Sequence, residues 1–192
     1  MEQTAEKTET VLDAVKDLDS SVFRTVAEWQ SPVLDRTMPE LSEIASGSRL
    51  WMGIAALFAI FGGKKGRRTA AEGMIAIGIN SFLANVLFKS VAHRKRPTES
   101  VPEERRLTQP ESSSFPSGHT ASAAAFSGIV DRAYPKLWLP INGLAAAVGF
   151  SRVYTGVHYP GDVLAGWLLG KSVALVVSYV SVRLGFAPDS AD

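Results

Sequence analysis

Between residues 11 and 29 the apolar positions step by three or four: Val11, Val15, Leu18, Val22, Val26 and Trp29. That rhythm predicts one face of an amphipathic helix, with Asp13, Lys16, Asp17 and Glu28 on the other face. Ser31-Pro32 is expected to end it, because the residue before a proline avoids helical backbone. Helices that lie on bilayers are usually basic on their polar face, and this one is acidic. It is therefore expected to pack on the rest of the protein, at or near a membrane surface. A second short helix is predicted over residues 39–45.

From residue 50 the pattern changes to apolar runs: 50–63, 70–88, 120–133, 137–150 and 163–182. The second and fifth approach the roughly 20 residues that cross a bilayer, and the others are nearer 14. A single run of that shorter length is usually a buried helix of a soluble core. Five of them, separated by short basic or Pro/Gly-containing loops, are more than a soluble chain of 192 residues can bury. Ala123-Ala124-Ala125, Ala145-Ala146-Ala147, Gly166 and Gly170 suit close helix packing in lipid. The expected fold class is all-α: a polytopic membrane helix bundle of about five transmembrane helices plus an N-terminal amphipathic helix. The longest loop, about 91–115, is polar and expected to be partly flexible.

Composition sharpens this division. The net charge of +1 hides an asymmetry: residues 1–48 carry four Lys/Arg against ten Asp/Glu, and residues 49–192 carry 16 against nine. An acidic head on a basic, apolar body does not suggest nucleic-acid binding. The absence of cysteine excludes disulfides, thiolate metal sites and cysteine nucleophiles. The acidic N-terminus has no apolar core of a signal peptide.

Three clusters at the ends of the apolar runs carry the candidate chemistry. In KSVAHRKRP, 89–97, Lys89 and Arg96 lie seven apart, two helical turns, and are expected on one face of a helix leaving the membrane. By itself that cluster reads as a snorkelling basic cuff. PSGH, 116–119, opens the third run, with Ser117 as the expected helix cap. SRVYTGVHYPGD, 151–162, joins the fourth run to the fifth. His158 precedes Asp162 by four residues, Pro160-Gly161 are expected to interrupt regular helix between them, and Asp162 reads first as an N-cap.

If all five runs cross, the three clusters fall on one side. Lys89, Arg96, Ser117, Gly118, His119, Arg152, His158 and Asp162 then converge at one membrane face. Three cations suit a group with several negative oxygens, phosphate above all. A helix start adds backbone N–H donors, with Gly118 allowing close approach. One neutral histidine can attack phosphorus while a second protonates the leaving oxygen, and Asp162 could orient His158. No carboxylate cluster suited to Mg²⁺ accompanies them, so no metal and no cofactor are expected.

Lys-x6-Arg-Pro, Pro-Ser-Gly-His and Ser-Arg-x5-His-x3-Asp, in this order, resemble the three-part signature of the type-2 phosphatidic acid phosphatase superfamily. That group includes lipid phosphate phosphatases, undecaprenyl-pyrophosphate phosphatases, glucose-6-phosphatase and vanadium haloperoxidases. The resemblance implies His158 as the nucleophile that becomes phosphohistidine, Asp162 as its orienting partner, and His119 as the acid and then the base. It implies that Lys89, Arg96, Arg152, Ser117 and the Gly118 N–H hold the phosphate. His93 is not a signature position and reads as a loop residue. Residues 1–48 lie outside the signature, as an acidic helical segment before a membrane-embedded phosphatase domain at 49–192.

The implied function is an integral membrane, metal-independent phosphatase acting on a lipid phosphate. Polyprenyl phosphates or pyrophosphates, including decaprenyl-phosphoryl-phosphoribose, are candidate substrates, as are phosphatidic acid and phosphatidylglycerophosphate. A vanadate-dependent haloperoxidase and a non-catalytic membrane interaction protein are the alternatives. The first has usually larger, soluble relatives, and the second conflicts with a complete catalytic set. KKGRR, 64–68, between the first two runs, is expected in the cytoplasm of a plasma-membrane protein. The site would then face outward, although Arg94, Lys95, Arg105 and Arg106 on its own side weaken the charge rule.

Overall fold

Ser31 and Pro32 open a helix instead of closing one. The Ser31 side chain accepts a hydrogen bond from the Leu34 N–H at 3.4 Å, and Pro32 takes the first helical position, where its missing N–H costs nothing. The computed structural model describes residues 2–88, 90, 92–97, 101–108 and 111–185, and the regular structure among these is all helical. Helix α1 covers Glu2–Ala27 and ends before Ser31. Helix α2 covers Pro32–Ile44, so Pro39, the expected start of the second helix, sits inside it.

Among the described side chains of α1, only those near its C-terminal end pack as expected, and that of Val11 lies outside the described ones. Phe23 and Ala27 are buried, whereas Val15, Leu18, Val22 and Trp29 are exposed. The contact side is rotated onto Phe23, whose ring meets Tyr159 edge-on at 5.4 Å.

Helix α3, Arg49–Phe61, follows α2 after a bend of 58°. The backbone turns left-handed at Gly47 and Ser48, and the Arg49 guanidinium donates back to the Glu43 and Ser46 carbonyls at 2.6 and 3.1 Å. Helix α4, Gly63–Phe82, continues through a π-helical stretch, Leu83–Phe88. Lys64, Lys65, Arg67 and Arg68 therefore lie in the first turns of α4 and not in a loop. Helices α5, Gly118–Ala133, α6, Trp138–Tyr154, and α7, Pro160–Arg183, complete the described bundle.

Helix α5 is the centre, and nearly every residue from Thr120 to Val130 is buried. Trp51, Ile77, Ile141 and Val148 pack with its Phe126 on one side; Ala76, Val173, Ala174 and Val177 pack with its Ala125 and Ile129 on the other. Between α5 and α7 the bundle is small inside, and large apolar side chains face outward. Ile60, Phe61, Leu168 and Leu175 are each at least 60% exposed, while Ala, Gly and Ser line the contacts. That inversion fits a protein whose outer solvent is lipid. Among the described residues, two helical stretches, Gly63–Phe88 and Pro160–Arg183, are long and apolar enough to cross a membrane, or three if the bent α2–α3 pair is one span.

Helices α5 and α7 meet at close range. A Cβ added at Gly166 would meet the Ser117 carbonyl oxygen at 2.5 Å, and one at Gly170 would meet the Ala121 oxygen at 2.2 Å. Backbone, not side chain, stands in the way, so neither position can give locally. Further along the same contact, Lys171 ties three helices together through Asp131 at 2.9 Å, Asn142 at 2.7 Å and Ser127 at 3.1 Å. We expect Gly170→Ala to force the two helices apart at a cost of about 1–3 kcal/mol. Thermal unfolding in detergent should show a lowered midpoint, and an unchanged midpoint would mean that the crossing is looser than described.

Candidate active site

The segment 92–97 carries the first cluster, and it is not helical. Arg96 therefore does not project from a continuing helix as expected, and Lys89 lies outside the described residues. Loop–loop hydrogen bonds replace the helix: the Ser114 N–H donates to the Arg94 carbonyl at 2.9 Å, and the Arg94 N–H to Ser113 Oγ at 3.2 Å. Three carbonyl oxygens then fix the Arg96 guanidinium, those of Ser112 at 3.2 Å, Ser113 at 3.1 Å and Val157 at 2.9 Å. No carboxylate neutralises it in these contacts, and burial holds its pKa below the usual guanidinium value, with Asp162 opposing.

The second cluster opens α5. Ser117 is its N-cap, with Oγ accepting from the Thr120 N–H at 3.4 Å and the Thr120 hydroxyl at 3.0 Å. The hydroxyl oxygen is thus an acceptor inside the helix start, and Ser117 is completely buried. Gly118 and His119 in the first turn face the cavity described below.

The third cluster depends on how α6 stops. Gly156 takes φ of +69°, the Gly156 N–H donates to the Val153 carbonyl, and the Val157 N–H to that of Arg152. This is the Schellman pattern of a helix end, which needs a residue at ease in the left-handed region. A Cβ there would also sit 2.6 Å from a Val101 methyl. The reversal carries His158 back over the end of α6, so that the His158 N–H also donates to the Arg152 carbonyl at 3.1 Å. Helix α7 then begins at Pro160, so Pro160 and Gly161 are helical and do not interrupt the turn. Asp162 is consequently the third helical residue and not the N-cap; its Oδ2 accepts the Tyr159 N–H at 2.9 Å.

These segments converge. The Ser117 N–H donates to the Asp162 carbonyl at 3.0 Å, which joins the starts of α5 and α7. Arg96, Gly118, His119, Ser122, Arg152 and His158 line one cavity of about 400 Å³. His93 is exposed and does not line it. Arg152 is 6% exposed; it donates to the Ser42 hydroxyl, while its buried Nε has no hydrogen-bond partner. Ser42, the left-handed Gly47–Ser48 bend and Ser81 also belong to the surroundings of the cavity, and the sequence offered no spacing signal for them.

His158 is 2% exposed and lies between opposite charges. Its Nε2 is 3.3 Å from the Arg96 guanidinium, a group that can only donate. Its Nδ1 is 3.6 Å from Asp162 Oδ2, an electrostatic contact longer than a hydrogen bond. Together these partners assign the proton to Nδ1 and leave the Nε2 lone pair on the side of the cations. Burial pushes the His158 pKa down to about 4, with Arg152 and Arg96 adding to the effect and Asp162 opposing it. The ring is therefore neutral at physiological pH, as a nucleophile must be. Among the described residues no group of three or more His, Asp or Glu side chains is placed to hold a metal ion.

A helical membrane bundle with a carboxylate-backed neutral histidine and under-neutralised arginines in one cavity defines an anion-handling class of membrane protein. Residues 71–186 match the PAP2 superfamily, and the chain belongs to it. It is 36% identical to the undecaprenyl-diphosphatase of Sulfolobus acidocaldarius over 85% of this chain and 76% of that protein. It is 33% identical to the decaprenylphosphoryl-5-phosphoribose phosphatase of Mycobacterium tuberculosis, over 79% and 85% respectively. Among solved structures, a transmembrane PAP2-type phosphatidylglycerolphosphate phosphatase from Bacillus subtilis superposes with a TM-score of 0.68 at 26% identity, covering 89% of this chain and 88% of that one.

The depressed pKa has a stability consequence of definite sign. Above pH 6.5 both folded and unfolded His158 are neutral; as pH falls from 6.5 to about 4 only the unfolded state gains a proton. Wild-type stability should fall across that window, and His158→Asn should remove that part of the slope. Unfolding midpoints against pH check it, and equal slopes in both proteins would contradict a buried neutral His158.

Proposed function

We propose that the chain is a membrane phosphatase that cleaves a lipid-linked phosphate through a phosphohistidine at His158. The observation that carries this reading is the placement of the His158 Nε2 lone pair in a cavity lined by Arg96, Arg152 and His119. Nε2 attacks phosphorus, forming a P–N bond as the P–O bond to the lipid breaks. His119 supplies the proton to the departing alkoxide, or to the departing phosphate of a pyrophosphate. Water, deprotonated by His119, then cleaves the P–N bond and releases inorganic phosphate. Asp162 balances the positive charge that grows on the imidazole, as the aspartate of a serine protease triad does.

Arg96, Arg152 and Lys89 hold the phosphoryl oxygens. The first-turn N–H groups of α5, beginning at Gly118, add donors that the helix itself leaves unused. Ser117 fixes that helix start through its acceptor oxygen, and its own O–H is left to donate to a phosphoryl oxygen. A divalent metal would be repelled by this donor set, so the reaction runs without one.

Polyprenyl phosphates or pyrophosphates are the substrate class, a choice supported by the names of the two relatives above. Residues 49–192 form the membrane-embedded catalytic domain, with α3 to α7 as its five spans and α1 as an amphipathic helix at the cavity end. The cavity draws on the bend just before α3, the first residues of α5, the turn just before α7 and the last residues of α4 and α6, the ends that five alternating spans bring to one side. Lys64, Lys65, Arg67, Arg68, Arg132 and Arg183 lie at the opposite ends of their helices, a distribution that supports an extracytoplasmic site in the plasma membrane.

Phosphate release from undecaprenyl or decaprenyl phosphate and pyrophosphate by the purified protein tests the reading. His158→Ala should lose about a thousandfold or more, and EDTA should change nothing. His119→Ala should slow lipid cleavage by about 10²–10⁴-fold yet cost much less in the first-turnover burst of p-nitrophenol from p-nitrophenyl phosphate, whose leaving group needs no proton. Substantial turnover by His158→Ala would sink the mechanism.

A further inference from the structure

The carboxylate behind His158 is held by Arg94, and Arg94 is held in turn by Asp19, a residue outside the region that matches the family. Asp162 is completely buried, and its Oδ1 accepts from Arg94 at 2.8 Å. Arg94 donates with its other terminal nitrogen to Asp19 of α1 at 2.5 Å. The second oxygen of Asp19 accepts the Gly161 N–H at 2.7 Å, one of the donors that the first turn of α7 leaves unused. Arg94 also sits over the Tyr159 ring, its guanidinium carbon 4.1 Å from the centroid. A Cβ at Gly161 would stand 2.9 Å from an Asp19 carboxylate oxygen, so the space is already filled. One guanidinium thus bridges two carboxylates, one from α1 and one that faces His158.

We propose that Asp19 is a positioning residue for phosphoryl transfer: it braces Arg94 across the back of Asp162 and so fixes the carboxylate that faces His158. The charge count gives the reason for a second acid. Arg94 alone would cancel Asp162 just where positive charge must grow on the imidazole. With Asp19 present the three groups carry net −1, which opposes the cations on the other side of the ring. Without Arg94, the same buried Asp162 would lose its strongest donor and the restraint on its rotation.

The proposal rests on the phosphatase reading, and the full chain acting on a polyprenyl pyrophosphate in detergent tests it. Asp19→Asn should lower kcat about ten- to a hundredfold, as loss of a residue that orients a reacting group commonly does, with KM within about twofold. Asp19→Glu should recover part of the loss, and Asp19→Asn should add little in an Arg94→Gln background. Thermal midpoints should stay near wild type. Full kcat in Asp19→Asn, a loss confined to KM, or a loss that follows the thermal midpoint would each overturn the positioning role. His158→Ala separates the two levels. If it is inactive while Asp19→Asn turns over normally, only the inference about Asp19 fails; if it is active, the phosphatase mechanism fails first.

Discussion

The site depends on how closely α5 and α7 can approach. With Gly166 against the Ser117 carbonyl and Gly170 against that of Ala121, the two helices meet backbone to backbone. Contact at that distance brings their first turns side by side and lets the Ser117 N–H reach the Asp162 carbonyl. The PSGH and HYPGD segments, 40 residues apart in the chain, become neighbours by that means alone. A wider crossing would separate His119 at the start of one helix from Asp162 and His158 at the start of the other. Lipid makes such a contact practicable, because small residues inside and large ones outside cost nothing where the outer solvent is itself apolar.

Charge is distributed around this crossing in two unequal sets. On the closed side, Asp162 is met by Arg94, the Tyr159 N–H and His158, and Arg94 is met in turn by Asp19. On the cavity side, Arg96 and Arg152 are held by carbonyl oxygens and the Ser42 hydroxyl, which orient the cations without neutralising them. The imidazole of His158 lies between, held neutral by burial and flanked by cations at Nε2 and an anion at Nδ1. Such an arrangement is prepared for an anion at one edge and for positive charge within the ring. Both are features of the proposed transfer to nitrogen.

Much of this was legible in the residues because it depends on short-range spacing. The run of small residues in α5, the capping role of Ser117, and the meeting of His119, His158, Arg96 and Arg152 all follow from local pattern and alternating helix direction. Where the reading failed, an alternative local geometry won. Pro32 and Pro160 were expected to interrupt helix and instead sit at first helical positions, where proline is at no disadvantage. Arg96 was placed on a helix, but the chain there leaves helical geometry and is held by the 112–115 loop. The link from Asp19 to Arg94 spans 75 residues and has no periodicity to announce it. Arg94 reads as one loop cation among several, and no spacing singles out Asp19.

The central claim, that phosphorus is transferred to His158, is tested most directly by trapping the intermediate. Rapid acid-free quenching of wild-type protein turning over a ³²P-labelled polyprenyl pyrophosphate, followed by peptide mapping, should find label on the peptide containing residue 158. That label should survive alkali and be lost in acid, as expected of a P–N bond. Label on another side chain, or release of phosphate with no trapped label at any time, would contradict the account.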